Sequence, residues 1–219
     1  MTELQMQKKQ IRTLISQRFR EQKELRSQIN ERFKSPEYCR SLLDTIPDCN
    51  RYRSAFGYAE LPNEVPCLNL LRAFGRSADK KIALPVVVGN ELIFREIDFS
   101  RAQILTTGAS FGILEPDETC KTLCSCLPQT EAEQRREIEI LADISPILVL
   151  TPGRAFTATG TRLGRGGGFY DRFFAKLTDL QRKNPTISFT AVGLAYPFQL
   201  LANIPTEDTD FKLDNVITV

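Results

Sequence analysis

Histidine is absent from the 219 residues of this chain, and its absence excludes much of the usual enzyme chemistry. Without an imidazole there is no Ser-His-Asp or Cys-His nucleophile system, and no zinc or iron site built on histidine. Acid–base or metal chemistry has to come from carboxylates, lysine, cysteine or tyrosine. We also expect no imidazole titration near neutral pH.

Long apolar runs and a strong net charge are missing as well. No apolar run approaches the length of about 18 residues that a transmembrane helix needs. The formal net charge is only +2, which by itself indicates neither a nucleic acid nor a membrane as partner. The first 12 residues are mostly polar and include an acid, Glu3, unlike a signal peptide. We therefore expect a cytoplasmic protein without membrane or nucleic-acid partners.

The cysteines do not follow a metal-binding or secretory pattern. A chain of this length buries enough surface to fold without disulfides, so the cysteines are interpreted as reduced thiols. The spacing of Cys120, Cys124 and Cys126 differs from the paired C-x-x-C of zinc sites, and we expect no metal there. The six positions are Cys39, Cys49, Cys67, Cys120, Cys124 and Cys126.

Hydrophobic periodicity predicts an α/β fold with a largely parallel sheet. Strands alternate with helices after Pro47, which is typical of such a sheet, and Gly89-Asn90 predicts a hairpin turn. We expect one domain over residues 1–219, with a long N-terminal helix packed on it. The predicted helices cover residues 3–34, 36–45, 64–76, 130–142 and 168–182. The predicted strands cover residues 52–58, 81–88, 91–97, 147–151 and 188–194.

Residues 108–112 match the G-x-S-x-G pattern of serine hydrolases. The pattern is short, and a chain without histidine offers no base to activate Ser110. We therefore interpret Gly108 and Gly112 as turn residues.

The segment over residues 151–171 has the strongest chemical character. It places four glycines within five positions, between a predicted buried strand and a predicted helix. Glycine-rich backbone and a helix N-terminus present N–H groups to a phosphate, and the guanidinium groups of Arg162 and Arg165 match phosphate oxygens. The segment is neither a Walker A loop nor G-x-G-x-x-G. A glycine-rich connector with solvated arginines is the alternative.

Residues 160–171, GTRLGRGGGFYD, resemble the signature G-x-R-L-G-x-G-x-G-Y-Y-D of the 5-formyltetrahydrofolate cyclo-ligases. Five more landmarks of that family appear in order, so the resemblance extends from about residue 8 to 218. It implies a three-layer α/β/α fold shared with sugar-phosphate isomerases and CoA transferases. The landmarks are K-x-x-L-R at residues 8–12, E-V at 64–65, G-I-x-E-P within 111–116, P-G-x-A-F at 152–156 and D-x-x-x-D at 210–214.

The resemblance also implies a reaction. Cyclo-ligases convert 5-formyltetrahydrofolate and ATP to 5,10-methenyltetrahydrofolate, ADP and phosphate, with Mg²⁺ as cofactor. ATP activates the formyl oxygen, and the folate N10 then closes the ring. Such a reaction depends on positioning and charge stabilisation and needs no histidine.

Site residues follow from the same resemblance, by position in this sequence. Arg165 and Tyr170 are implied as catalytic, and Asp171 and Asp210 as the Mg²⁺ ligands. Folate is expected to contact Ala59, Glu64, Arg165 and Phe169. ATP is expected to contact Lys8, Arg12, Arg162, Gly164, Arg165, Gly166, Gly167, Gly168, Phe169 and Tyr170. Taken without the resemblance, Lys8 and Arg12 form a charged helix face and Asp171 complements a helix dipole.

Four positions depart from the family pattern. Val86 stands where arginine is frequent, Pro66 replaces a usual threonine, Phe169 replaces the first tyrosine of the pair, and Thr209 replaces a frequent histidine. The first two bear on folate contacts and favour an alternative, a relative that binds nucleotide but acts on another ligand. A second alternative is a nucleic-acid-binding module.

We expect a monomer or weak homodimer that binds 5-formyltetrahydrofolate and ATP.

Overall fold

The computed structural model describes residues 2–76, 79–100, 105–107, 112–127 and 129–219. Six helices and eleven strands lie within these residues. The helices are α1 Glu3–Glu21, α2 Lys23–Arg32, α3 Pro36–Leu43, α4 Leu68–Phe74, α5 Glu131–Asp143 and α6 Phe169–Lys183. The strands are β1 Ser54–Phe56, β2 Lys81–Val88, β3 Glu91–Ile97, β4 Leu105–Thr107, β5 Leu114–Pro116, β6 Thr122–Ser125, β7 Ile147–Thr151, β8 Ala155–Phe156, β9 Arg162–Leu163, β10 Phe189–Ala195 and β11 Asn215–Thr218.

The central sheet has seven strands in the order β11-β10-β7-β1-β2-β3-β6. The strands from β11 to β2 are parallel to one another, and β3 and β6 are antiparallel to their neighbours. The β2–β3 hairpin turns at Gly89-Asn90, where Gly89 adopts a φ of 61°. A largely parallel sheet interrupted by this hairpin was predicted and is confirmed.

Helices cover both faces of the sheet, because apolar side chains alternate along strands that are buried on each side. Leu148 and Leu150 of β7 pack into the cluster formed with α1 to α4. Ile147 and Val149 of the same strand pack into the cluster formed with α5 and α6. The result is the predicted three-layer α/β/α architecture.

A long N-terminal helix is present, but helical structure over residues 3–34 is interrupted at Gln22, whose φ of −97° and ψ of 30° lie outside the helical region. Ten residues separate the buried Phe19 and Ile29. In one continuous helix they would point about 80° apart, at 3.6 residues per turn. The interruption turns α2 so that both side chains reach the core, while Leu25 remains exposed.

The helix predicted over residues 64–76 begins later, at Leu68. Pro66 disfavours helical backbone at the residue before it. Glu60 then accepts hydrogen bonds from the N–H groups of Cys67 and Leu68, both at 3.1 Å, and so caps the first turn. Glu64 therefore lies in the turn before α4 and not at a helix start.

Several short elements have no counterpart in the prediction. Strand β6 contains Cys124, which is buried and whose pKa is raised well above its ordinary value by that burial. All six cysteines are free thiols.

Residues 108–111, which include Ser110 of the G-x-S-x-G match and Phe111 of the mid-chain landmark, lie outside the described residues. Within the described part of the chain, no helix is both long and apolar enough to cross a bilayer.

Candidate active site

One cleft of about 1120 Å³ lies beside the carboxyl ends of β1 and β7. Open parallel sheets bind ligands at this edge. Helix α1, the residues following β1 and β7, the start of α6 and residues 207–212 line it. Every residue that the family resemblance implied as a site residue lines this cleft: Lys8, Arg12, Ala59, Glu64, Arg162, Gly164, Arg165, Gly166, Gly167, Gly168, Phe169, Tyr170, Asp171 and Asp210.

The glycine loop, residues 164–168, connects the β8–β9 hairpin to α6. Gly166 and Gly168 have φ values of 106° and 68°, which residues with a Cβ rarely adopt. Gly168 is the N-cap of α6, and no side chain caps this end. The first N–H groups of α6 and the positive end of its dipole therefore face the cleft, an arrangement suited to a phosphate group.

Helix α1 contacts the glycine loop through Arg12. Its Nε donates to the Gly164 carbonyl oxygen at 2.9 Å. Burial lowers the pKa of Arg12, and the charge of Asp210 raises it. The contact places a guanidinium group next to the backbone of the loop, since Gly166 lies beside the same side chain.

Lys8 joins α1 to the C-terminal segment. Its Nζ lies 3.1 Å from Glu207 Oε2 and 2.6 Å from Asp210 Oδ2, and its side chain is 9% exposed. Burial alone would lower the pKa of Lys8, but the hydrogen bonds to Asp210 and Glu207 together raise it. The ammonium group is therefore charged and held by two carboxylates.

Arg162 and Asp171 form a second ion pair. Arg162 Nη2 donates to Asp171 Oδ1 at 2.7 Å, and the arginine side chain is almost fully buried. Its guanidinium group also lies 5.4 Å from the centre of the Tyr170 ring. Among the described residues Arg162 Nε has no hydrogen-bond partner. A buried donor without a partner is costly, and this one belongs to a side chain that lines the cleft.

Arg165 and Glu64 meet across the cleft. Arg165 Nε donates to Glu64 Oε1 at 3.1 Å, and the Leu61 N–H donates to Glu64 Oε2 at 3.0 Å. The nearby Tyr170 hydroxyl is buried and makes no hydrogen bond to any described residue. Burial raises the pKa of Tyr170 well above its usual range, and the Glu64 charge raises it further. Tyr170 is therefore a neutral donor at neutral pH.

The two predicted metal ligands each contact a cation, Asp171 through Arg162 and Asp210 through Lys8. The residues that the structure describes contain no group of three or more metal-binding side chains. Mg²⁺ commonly takes one or two carboxylates and fills its remaining positions with phosphate and water. Asp171 and Asp210 line the cleft and carry the carboxylate oxygens that Mg²⁺ prefers.

The departures from the family pattern fall in two groups. Val86 and Pro66 are not among the residues that line the cleft, whereas Phe169 and Thr209 are. The neighbours Pro85 and Val87 do line it, because successive side chains of a strand point to opposite faces. The substitution at Val86 therefore does not remove a side chain from the cleft wall.

Two functional candidates have no clear signal in the sequence. Glu207 is the second partner of Lys8, and Arg154 is buried behind the cleft against α1. Both act through contacts between segments more than a hundred residues apart, so no local pattern marks them.

A glycine loop, an uncapped helix N-terminus and several guanidinium groups at the carboxyl edge of a parallel sheet define an α/β protein built to bind an anionic, phosphate-bearing ligand. Comparison with known sequences then gives the family. The chain belongs to the 5-formyltetrahydrofolate cyclo-ligase family, whose sequence model matches residues 5–219. The resemblance noted in the sequence is thereby confirmed.

Curated relatives carry the same name. The mitochondrial 5-formyltetrahydrofolate cyclo-ligase of Arabidopsis thaliana is 30% identical over 162 residues, which cover 71% of this chain and 54% of the relative. A probable cyclo-ligase of Schizosaccharomyces pombe is 26% identical over 184 residues, 82% of this chain and 81% of the relative. One from Caenorhabditis elegans is 43% identical over 70 residues, 32% of each chain. The aligned part thus spans about a third of the C. elegans relative and about half of the A. thaliana relative.

Solved structures share the fold. The NMR structure of Aquifex aeolicus 5,10-methenyltetrahydrofolate synthetase is 25% identical, with a TM-score of 0.66 over 96% of this chain and 89% of that one. A 5,10-methenyltetrahydrofolate synthetase from Mycoplasma pneumoniae has a TM-score of 0.60 over 99% and 98% of the two chains. At 19% identity, the second structure supports the fold alone.

Proposed function

We propose that this chain catalyses the ATP- and Mg²⁺-dependent conversion of 5-formyltetrahydrofolate to 5,10-methenyltetrahydrofolate, with release of ADP and phosphate. The observation that carries the proposal is the meeting of Arg12, Arg162 and Arg165 with the uncapped N-terminus of α6 in one cleft of a cyclo-ligase family member. Folate and ATP are the proposed ligands.

The chain's own residues supply binding and charge stabilisation in this scheme. The γ-phosphoryl group passes from ATP to the formyl oxygen and ADP leaves. The folate N10 then attacks the activated carbon and loses its proton to water or to the departing phosphate, and the C–O bond to phosphate breaks. Lys8, Arg12 and the glycine loop hold the phosphates of ATP. Arg162 and Arg165 neutralise negative charge on the transferred group. Tyr170 donates its unpaired hydrogen bond to a reactant oxygen.

Magnesium would be held by Asp171 and Asp210 together with ATP phosphates and water, and would neutralise phosphate charge. Each carboxylate would then exchange its present lysine or arginine partner for the ion. That exchange would free Arg162 to contact phosphate oxygens, whereas Lys8 would keep Glu207 as a partner.

The metal assignment predicts the effect of removing one carboxylate charge. Asp171→Asn and Asp210→Asn should each raise the Mg²⁺ concentration for half-maximal rate by about tenfold, with partial rescue by Mn²⁺. A magnesium titration of the initial rate measures this. Asp214→Asn is the control, because Asp214 Oδ2 accepts from the Ala191 N–H at 2.7 Å and belongs to the β10–β11 region. A raised requirement in Asp214→Asn, with none in Asp210→Asn, would show that the second ligand is misassigned.

Glu64 is proposed to contact folate and not ATP. Glu64→Gln keeps an oxygen for Arg165 but removes the charge, and should raise the KM for 5-formyltetrahydrofolate by about tenfold while the Kd for ATP stays the same. Steady-state kinetics and calorimetry measure the two quantities. Glu60→Gln is the matched control: it weakens the cap of α4 and should lower the Tm without changing that KM. Loss of ATP affinity with folate binding intact would contradict the assignment.

The proposed reaction has a direct test. Purified protein mixed with 5-formyltetrahydrofolate, ATP and Mg²⁺ should develop the near-ultraviolet absorbance of the methenyl product. A protein that binds ATP but forms no product from this folate would favour the alternative of a relative acting on another ligand. A screen of ATP hydrolysis against other folates and small carboxylates would then separate the two.

We further propose a single functional domain over residues 1–219, acting as a monomer or weak homodimer in the cytoplasm. Six free thiols support a reducing compartment. The relative from A. thaliana is named mitochondrial, so localisation of the tagged full chain by microscopy is the appropriate test.

A further inference from the structure

Arg154 lies between β7 and β8, and its side chain crosses from there to α1. Its Nη2 donates to Ser16 Oγ at 2.5 Å, and its guanidinium carbon lies 5.1 Å from the centre of the Phe19 ring. Ser16 Oγ donates in turn to the Arg12 carbonyl oxygen at 2.7 Å. The side chain of Arg154 is therefore bound to the turn of α1 that carries Arg12.

The backbone of Arg154 is bound to the opposite side of the cleft. Its N–H donates to the Leu163 carbonyl oxygen at 2.7 Å, and the next carbonyl, that of Gly164, accepts from Arg12 Nε at 2.9 Å. Helix α1 thus reaches the glycine loop twice, directly through Arg12 and indirectly through Ser16 and Arg154. These connections add to the hydrogen bonds of Lys8 and Arg18 in fixing the rotation of the helix, and they are the ones that act next to Arg12.

The guanidinium group of Arg154 is buried, and no carboxylate among the described residues forms an ion pair with it. Burial lowers the pKa of Arg154, the charges of Arg165 and Arg12 lower it further, and Glu64 raises it. A buried cation without a counter-ion is destabilising. An anion bound between Arg12 and Arg165 would supply the missing negative charge.

We propose that Arg154 is a positioning residue for the triphosphate of the nucleotide: it holds Arg12 in register with the glycine loop, and its unpaired charge adds to the positive potential there. Arg154 is not among the residues that line the cleft, so it acts from behind Arg12. It occupies the variable position of the landmark P-G-x-A-F. The proposal rests on the proposed function.

The test compares four variants of the full chain: Arg154→Met, Arg154→Lys, Ser16→Ala and, as control, Arg20→Met on the exposed side of α1. Calorimetry gives the Kd for Mg-ATP, inorganic tripolyphosphate and 5-formyltetrahydrofolate, and thermal unfolding gives the Tm. Arg154→Met should weaken ATP and tripolyphosphate binding by about tenfold, the effect of one unit charge near an anion in a partly buried site. Ser16→Ala, which keeps the charge, should weaken both by about threefold. Arg154→Lys should weaken both by a factor between these two values. The affinity for 5-formyltetrahydrofolate should not change in any of the variants.

The outcomes separate this inference from the proposed function. Wild-type tripolyphosphate affinity in Arg154→Met overturns the inference alone, provided that the wild-type protein forms the methenyl product. A parallel loss of triphosphate affinity, folate affinity and Tm shows a merely structural role and overturns it too. If Arg154→Met does not fold, unchanged triphosphate affinity in both Arg154→Lys and Ser16→Ala overturns it. A wild-type protein that binds no triphosphate overturns the inference together with the proposed function.

Discussion

Replacing Arg165 by alanine should lower kcat by about a hundredfold to a thousandfold, a loss of about 2.7–4 kcal/mol of transition-state stabilisation. The guanidinium group lies at the glycine loop, where charge develops on the transferred phosphoryl group in the proposed reaction. In its ion pair with Glu64, the Arg165 side chain is 49% exposed and the Glu64 side chain is 9% exposed. Partly exposed pairs contribute about 1 kcal/mol or less to stability, so the free energy of unfolding should hardly change.

The cleft offers a matched control for this experiment. Arg172 lines the same cleft, pairs through Nε with Glu91 at the same distance of 3.1 Å, and is 39% exposed. Its Nη2 donates to the Asn90 carbonyl oxygen in the β2–β3 turn, outside the glycine loop. Arg172→Ala should therefore retain wild-type kcat within about threefold. Initial rates and urea unfolding of both variants provide the comparison, and wild-type turnover by Arg165→Ala would remove that residue from the catalytic assignment.

The largest loss of stability is expected from Gly160→Ala. Gly160 has a φ of 94°, and an added Cβ would lie 2.1 Å from the Leu213 carbonyl oxygen. The contact is with backbone, and the Leu213 N–H also donates to the Gly160 carbonyl oxygen at 2.9 Å, so the two segments cannot separate without losing that bond. Left-handed backbone strain and the loss of one buried hydrogen bond should together lower the free energy of unfolding by about 3 kcal/mol.

Gly89→Ala separates the two contributions to this loss. Gly89 also has a positive φ, 61°, but an added Cβ would meet no atom within 4 Å. Only the backbone strain remains, about 1–2 kcal/mol. Urea unfolding at equilibrium gives both free energies. Equal losses in the two variants would show that the close approach of Leu213 does not matter.

Local chemistry in the sequence predicted the elements whose ends are fixed by neighbouring residues. Helix α3 begins where Pro36 follows its cap, Ser35, and the β2–β3 hairpin turns at Gly89-Asn90. The start predicted for α4, at residue 64, was wrong, although Pro66 disfavours helical backbone at the residue before it. Its cap comes from Glu60, seven residues before Cys67, outside the spacing of ordinary capping patterns.

In the candidate site, too, the sequence predicted what neighbouring residues indicate and missed what depends on contacts between distant residues. The glycines and arginines of residues 160–171 indicated a phosphate site by their own chemistry, and the family pattern added Lys8 and Arg12. The pairing of Arg165 with Glu64, and of Lys8 with Glu207, joins residues 101 and 199 positions apart. Such pairs depend on the strand order and on side-chain directions, which a single sequence does not encode in any local pattern.

The bond between Lys8 and Asp210 joins residues 202 positions apart, and this has a consequence during protein synthesis. A chain emerging from the ribosome presents α1 before the acidic partners of Lys8, which follow 199 and 202 residues later. At about 5–20 residues per second, roughly ten to forty seconds pass before both are available. Until then Lys8 lies on a helix without its acidic partners. A nascent chain stalled before residue 207 should therefore lack the closed cleft.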